Sequence, residues 1–423
     1  MYSHKYKIFI FLKISKIRLG LILNSIYVSK YFQAMAETLH EAVCRGNMNE
    51  VGFLLEAGVD VNTPCPVTGM FPLSTALLYN MPHIAIALIN CGANVDIEDN
   101  FSLDECCRHP IHYACQGGCQ EMVEFLLSMG VDLEAQDYGG ATPLHHAAAS
   151  GHKDLVQFLV DRGAFLNHRS KSGRTAMWKA AQAGHGKVVE FLVQAGCDAN
   201  TQNVLGLTVL FDLARQPRRL AIMKQLIQGG CDLTLCDIEG NTALHSAASI
   251  GRDKAIELLL NAGIPVNAVN GNRNTALHNT TKHNHVTTAI LLLNHGASPA
   301  IKTVAGHSPL YLAMLHKHAD CTHLMHYAGA RLTAHEFFTY ENFEAARRKG
   351  KDVFYHWALN VFFTPLPLMS LCRIAIRDGL SDILKDLPFL PIPPTLQKFL
   401  LFHDIRDEYA SNDSFSEESQ DSE

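Results

Sequence analysis

A motif recurs along this chain at intervals close to 33 residues, and no other feature limits its fold as tightly. Leucine-like positions fall at Leu39, Leu73, Ile111, Leu144, Met177, Leu210, Leu244, Leu277 and Leu310, separated by 34, 38, 33, 33, 33, 34, 33 and 33 residues. A glycine keeps step at Gly58, Gly92, Gly130, Gly163, Gly196, Gly230, Gly263, Gly296 and Gly329. Repetition at this period means one small unit, used about nine times, that buries its apolar face only against its neighbours.

The clearest copy shows why each residue type is there. Thr142 offers a hydroxyl to cap a helix, and Pro143 suits a first turn where no amide donor is needed. Ala147, Ala148 and Ala149 keep one helix face thin, so a neighbouring unit can approach. Gly151 breaks this helix, and Leu155, Val156, Phe158 and Leu159 make the apolar stripe of a second one. Gly163 supplies a left-handed ending, and Asn167 to Ser170 form a protruding turn.

The Thr-Pro-Leu-His signature at Thr142 to His145, repeated at this period, resembles the ankyrin repeat. The resemblance implies an all-α solenoid over residues 36–333, with short hairpin turns between units. In proteins of this kind the turn asparagines, here Asn62, Asn167, Asn200 and Asn267, are sometimes hydroxylated.

Departures from the template mark candidate contacts. The interval of 38 contains an extended turn, Asp96 to His109, about five residues longer than the period. Insertions of this kind sit on one face of a solenoid and contact partners, which makes Phe101 and Leu103 candidates. Trp178, Phe211 and Tyr311 stand where the template has histidine, so they are either groove anchors for a substrate or local repacking.

Cys106, Cys107, His109, His112, Cys115 and Cys119 crowd into fourteen residues, a density that raises the question of zinc. His112 and Cys115 occupy template positions and no paired Cys-x-x-Cys closes a site, so the expectation is packing and free thiols, with no metal or cofactor. No nucleophile elbow, phosphate loop or His-Glu-x-x-His helix occurs, so no catalytic residue is assigned. The net charge of -6 argues against nucleic acid as partner. Twelve irregularly spaced cysteines fit a reducing compartment, cytoplasmic and also nuclear.

Residues 1–35 are basic and carry no acid. They read as an extension preceding Met35, as a targeting segment, or as an ordered arm; the 11-residue uncharged run from Leu19 to Ser29 is too short for a membrane span.

Beyond the repeats, residues 334–364 are rich in aromatics and read as helices capping the last unit. Leu368, Cys372 and Ile376 then share one helix face with Leu371, and a proline-broken stretch and a last apolar helix follow. So short a segment cannot bury its own apolar side chains, which implies a partner.

Residues 365–403 resemble a SOCS box, and with the upstream repeats the chain resembles the ankyrin repeat and SOCS box family. Pro367-Leu368 with Cys372 and Ile376 matches that family's Elongin-binding motif. Leu390-Pro391-Ile392-Pro393 is similar to its Leu-Pro-Leu-Pro cullin-5 motif, with isoleucine in place of leucine.

The resemblance implies a three-helix box whose residues Pro367, Leu368, Leu371, Cys372 and Ile376 meet Elongin C, joined by Elongin B. Leu390, Pro391, Ile392 and Pro393 meet cullin-5 and its RING-box protein. The chain would then be a non-catalytic receptor that holds an unidentified protein substrate for ubiquitination. The competing reading is a plain ankyrin scaffold whose last helices only cap the repeats. Residues 404–423, with eight acids against Arg406, read as a solvated tail.

Overall fold

The structure, a computed structural model, describes residues 39–65, 68–99, 107–333 and Glu336. The N-terminal 1–35 segment, Phe101, Leu103, the 365–403 box and the 404–423 tail lie outside the described residues. So does the 334–364 segment apart from Glu336. The chain divides into two compact units, Met1–Lys171 and Ser172–Glu423.

The described residues are helical, with an isolated antiparallel bridge between Asp99 and Arg108 as their β-type pairing. In the first unit, helical residues 39–44 pair with Met48–Glu56, and Pro72–Leu78 with Pro82–Asn90. Pro110–Gly117 then pairs with Gln120–Ser128, and Pro143–Ser150 with Lys153–Asp161. Among its described residues the second unit carries five pairs, beginning with Ala176–Ala183 and Gly186–Gln194 and ending with Pro309–Leu315 and Ala319–Tyr327. Within each unit, first helices pack on first helices and second on second.

The apolar periodicity is what is buried. Leu144, Ala147 and Ala148 of one first helix and Leu155, Val156 and Leu159 of its partner are almost fully enclosed. The alanines let the next first helix close in, and the leucines fill the space between the two layers.

Gly151 ends its helix at φ 81°, and Asn284 and Lys317 stand at the matching place with φ 60° and 61°. The asparagine tolerates that left-handed conformation better than the lysine does.

Template histidines hold the units together. His145 Nδ1 lies 3.2 Å from the amide of Thr142 and 2.9 Å from its hydroxyl. His112, His245 and His278 make the same turn with His109, Thr242 and Thr275. A nitrogen that accepts from an amide carries no proton, so the proton sits on Nε2. From there it is donated to the next turn: His112 to Ala135 O at 2.9 Å, His245 to Asn274 O at 2.9 Å, His278 to His307 O at 3.3 Å. One neutral ring thus caps its own helix and ties it to the segment that follows.

In two of the repeats that lack the histidine, a carboxylate replaces it. The second repeat has Ser74 at that place, and Asp99 Oδ1 accepts from the Phe71 amide at 3.2 Å and the Ser74 hydroxyl at 3.1 Å. The ninth has Tyr311, and Glu336 Oε1 accepts from the Ser308 amide at 2.7 Å. Both acceptors lie 28 residues beyond the amide they satisfy. Glu336 also takes the Thr333 amide and hydroxyl and the Lys302 ammonium. Burial opposes its charge, but bonds from Ser308 and Thr333 outweigh it and hold the carboxyl down at about 2.

Replacing Glu336 by glutamine keeps the shape and removes the charge. It is expected to cost about 2 kcal/mol in urea unfolding, the worth of hydrogen bonds to a charged group. The histidines predict an acid sensitivity of opposite origin. Burial, helped by the His146 ring, lowers His112 to about 3. Burial, opposed by the bond to His307, lowers His278 to about 4. As pH falls below about 6.5, the unfolded chain takes up protons that the folded rings refuse, so stability declines with falling pH. The urea midpoint is therefore expected to drop between about pH 7 and about pH 5, well before Glu336 begins to titrate.

Candidate functional site

The turns between units end in tips that sit side by side. Val204 N–H donates to Ser172 O at 3.2 Å, Ile238 to Leu205 O at 3.3 Å, Gly271 to Glu239 O at 2.8 Å and Val304 to Asn272 O at 3.0 Å. A side chain at Gly240 would come within 2.8 Å of the Gly271 amide, so glycine there permits the approach. Behind the tips, Asn62 and Asn267 each take an amide of the next repeat on the side-chain oxygen and give the nitrogen to its glycine carbonyl. Asn200 accepts from the Asp232 amide at 2.7 Å. These turn asparagines therefore act as clamps between successive repeats.

Three tips of the second unit carry apolar side chains open to water. Val204 is 64% exposed, Leu205 52%, Ile238 75% and Val304 69%. Such a row on a well-packed protein is unusual enough to mark a contact surface. Sequence reasoning missed it, because each repeat contributes only one or two such residues. The signal was present: once the repeats are aligned, the position two residues before the turn glycines Gly206, Gly240 and Gly306 is apolar, at Val204, Ile238 and Val304.

The three aromatic candidates prove to be core. Trp178, Phe211 and Tyr311 are 1%, 6% and 3% exposed, so none of them is offered to a substrate, and the repacking alternative accounts for them. Trp178 points between helices and gives its indole N–H to Asp212 Oδ2 at 3.2 Å. His307 stacks on Tyr311 with centroids 4.4 Å apart. Each fills the volume a smaller template histidine would leave, and Trp178 restores a bond to the following helix.

The long turn is pinned at its base. Asp99 N–H donates to Arg108 O at 3.0 Å, and His109 lies 3.2 Å from Asp96 and 3.5 Å from Glu98 through its two nitrogens. The contact candidates Phe101 and Leu103 fall between these ends, outside the described residues.

The buried cysteines of the repeats serve packing. Burial pushes Cys197 and Cys321 up to about 12 and Cys231 to about 11, far above the range of a reactive thiol. Among the described residues no three His, Cys, Asp or Glu side chains are arranged to hold a metal ion. No helix among them is long and apolar enough to cross a membrane.

The comparisons with known proteins agree with this architecture. A family model of three ankyrin repeats matches residues 39–137, 111–203, 177–270 and 210–302, and a SOCS box model matches residues 364–401. The chain belongs to the ankyrin repeat and SOCS box family. It is 29% identical to ankyrin repeat and SOCS box protein 16 of Mus musculus over 182 residues, 35% of this chain and 40% of that protein. It is also 29% identical over 135 residues to an ankyrin repeat protein of fowlpox virus (strain NVSL), 31% of this chain and 19% of the viral one. The chain therefore spans less than half the length of either relative.

Assigning Trp178 to the core has a measurable consequence. Trp178→Ala is expected to destabilise the repeats by about 3–5 kcal/mol, the cost of emptying a large aromatic site. Thermal and urea unfolding of the variant check it, and a near-neutral result would return Trp178 to the surface.

Proposed function

We propose that this chain is a substrate receptor of a cullin-RING ubiquitin ligase. The observation that carries the proposal is the SOCS box match over residues 364–401, downstream of a long ankyrin array. In this reading Pro367, Leu368, Leu371, Cys372 and Ile376 form the face that meets Elongin C, with Elongin B attached. Leu390, Pro391, Ile392 and Pro393 meet cullin-5 with its RING-box protein. The isoleucine at 392 keeps the apolar volume of the usual leucine.

The repeats supply the other half. The exposed tips at Val204, Leu205, Ile238 and Val304 form an apolar surface for a protein target. Phe101 and Leu103 on the long turn are further candidate contacts in the first unit.

No chemistry need reside in the chain for this task. A receptor that binds the target at one place and the ligase at another replaces a bimolecular encounter by a local one. Transfer of ubiquitin belongs to the RING subunit and its charged partner enzyme. Such a receptor works in the cytoplasm and nucleus, where these ligases act.

Truncating a buried leucine anchor costs about 2 kcal/mol or more in binding. Leu368→Ala combined with Cys372→Ala is expected to abolish co-purification of Elongin B and C while leaving the helical circular-dichroism signal unchanged. Undiminished co-purification would leave the chain a scaffold and overturn the receptor reading.

A further inference from the structure

The edge of the second unit opposite the tips, where each first helix hands over to its second, is crowded with positive charge. Lys187 lies in the first turn of Gly186–Gln194, Arg215 closes Val209–Ala214, and Arg219 precedes Leu220–Gln228. Arg252 and Lys254 flank the start of Asp253–Asn261, and Lys282 lies in the last turn of Ala276–His283. Among the described residues none of these six takes part in an ion pair.

Histidines extend the same edge. The His283 and His285 rings are 6.1 Å apart, and His316 and His318 stack at 5.9 Å. Burial and then the neighbouring Lys282 lower His283; burial and then His318 and Lys282 lower His316. The acids nearby are few. Asp253 is engaged by the Thr288 hydroxyl, Asp320 starts the last second helix, and Glu190 and Glu257 lie one turn further along.

The fold does not require this charge. Arg219 gives its guanidinium to the Gln182 and Ala183 carbonyls at 3.2 and 3.0 Å, and Arg252 reaches Arg215 O at 3.3 Å. His285 does the same for Ser249 O at 3.3 Å, and His318 for Lys282 O at 3.1 Å. A neutral ring thus performs the structural task. In the first unit the matching junctions carry Arg45, His152 and Lys153 beside Glu50, Glu121 and Asp154, with Arg45 already paired to Glu41. The cationic edge is a property of the second unit alone.

One segment of this chain has the complementary character. Residues 404–423 hold eight carboxylates against Arg406 and contain no lysine. We propose that this acidic tail docks, within its own chain, on the cationic edge of the second unit. The dimensions agree. Stacked helices lie about 8–10 Å apart, so the edge from Lys187 to Lys317 runs about 32–40 Å. Twenty extended residues reach about 66–72 Å, enough to follow it with room to spare. The contact is electrostatic and tethered, hence weak per charge, strengthened by a high local concentration, and sensitive to salt.

The test uses the full-length chain and a carbodiimide, which joins a carboxylate directly to a lysine amine. An equal mixture of isotope-labelled and unlabelled protein separates bonds within one chain from bonds between copies. Expected are amides from Glu417, Glu418, Asp421 or Glu423 to Lys187, Lys254 or Lys282 within one chain, lost at high salt. A second measurement does not depend on cross-linking. Acetylation of Lys187, Lys254 and Lys282 should be about threefold faster when the tail carries Glu417→Gln, Glu418→Gln, Asp421→Asn and Glu423→Gln, and Lys153 should be unaffected.

Equal acetylation rates in the two proteins, or tail amides scattered over Lys153 and Lys171, would overturn the proposal. Amides formed only between copies would overturn docking in cis. Suppression of amide formation by a single-stranded oligonucleotide present during the reaction, but not by a synthetic 404–423 peptide, would assign the edge to nucleic acid instead.

Discussion

Everything in this molecule hangs on a neutral imidazole that accepts on one side and donates on the other. His145 shows the accepting side, where Nδ1 receives the Thr142 amide. His112, His245 and His278 show the donating side, where Nε2 reaches a carbonyl in the segment ahead. The first bond starts a helix and the second joins that helix to its successor. The price is a ring that must stay uncharged in a buried place, and burial lowers its proton affinity enough to keep it so. Asp99 and Glu336 make the principle visible by exception. Each is a carboxylate brought back 28 residues to satisfy an amide whose histidine is gone. What the fold requires at that place is an acceptor for a buried amide, and the side chain that supplies it is negotiable.

The same logic explains the large aromatics. Losing the histidine frees volume as well as a bond, and Trp178 fills the first while Asp212 takes up a new N–H. Residues that stand out against a repeat template are therefore as often repairs of the template as they are contacts. The second unit instead presents its contact features on two edges of different chemistry. Its tips carry Val204, Leu205, Ile238 and Val304 in water, whereas its helix junctions carry Lys187, Arg219, Lys254 and Lys282. The two edges suit partners of different chemistry, apolar on one and anionic on the other.

For a chain of the ankyrin repeat and SOCS box family, the repeats are what the described residues make explicit. In the proposed reading, a role in ubiquitination would follow from the arrangement of parts rather than from any reactive group. The buried cysteines Cys197, Cys231 and Cys321 are packed and poorly ionised, and His112, His245 and His278 are spoken for by backbone amides and carbonyls. The most unusual chemical group is Glu336, which lies just beyond the last helix pair and ties the start of the C-terminal segment to Ser308, Thr333 and Lys302. The segment leading from the repeats to the SOCS box thus begins at a fixed, charged anchor.

Sequence by itself determined the repeat, its period, the helix pair within each unit and the residues that fill the core. These depend on local spacing: threonine, proline, alanine and glycine at fixed offsets act within a few residues of themselves. It also carried the box motif at Leu368 and Cys372, because that motif is a pattern of residue types at fixed spacing. Tertiary structure decided what each exception was for. Whether Trp178 faces a groove or a neighbouring helix depends on residues 34 positions away. That Asp99 and Glu336 stand in for histidine depends on a chain that returns to the same place after 28. The apolar tips and the cationic edge each gather one residue per repeat, so they become surfaces only after stacking sets those residues side by side.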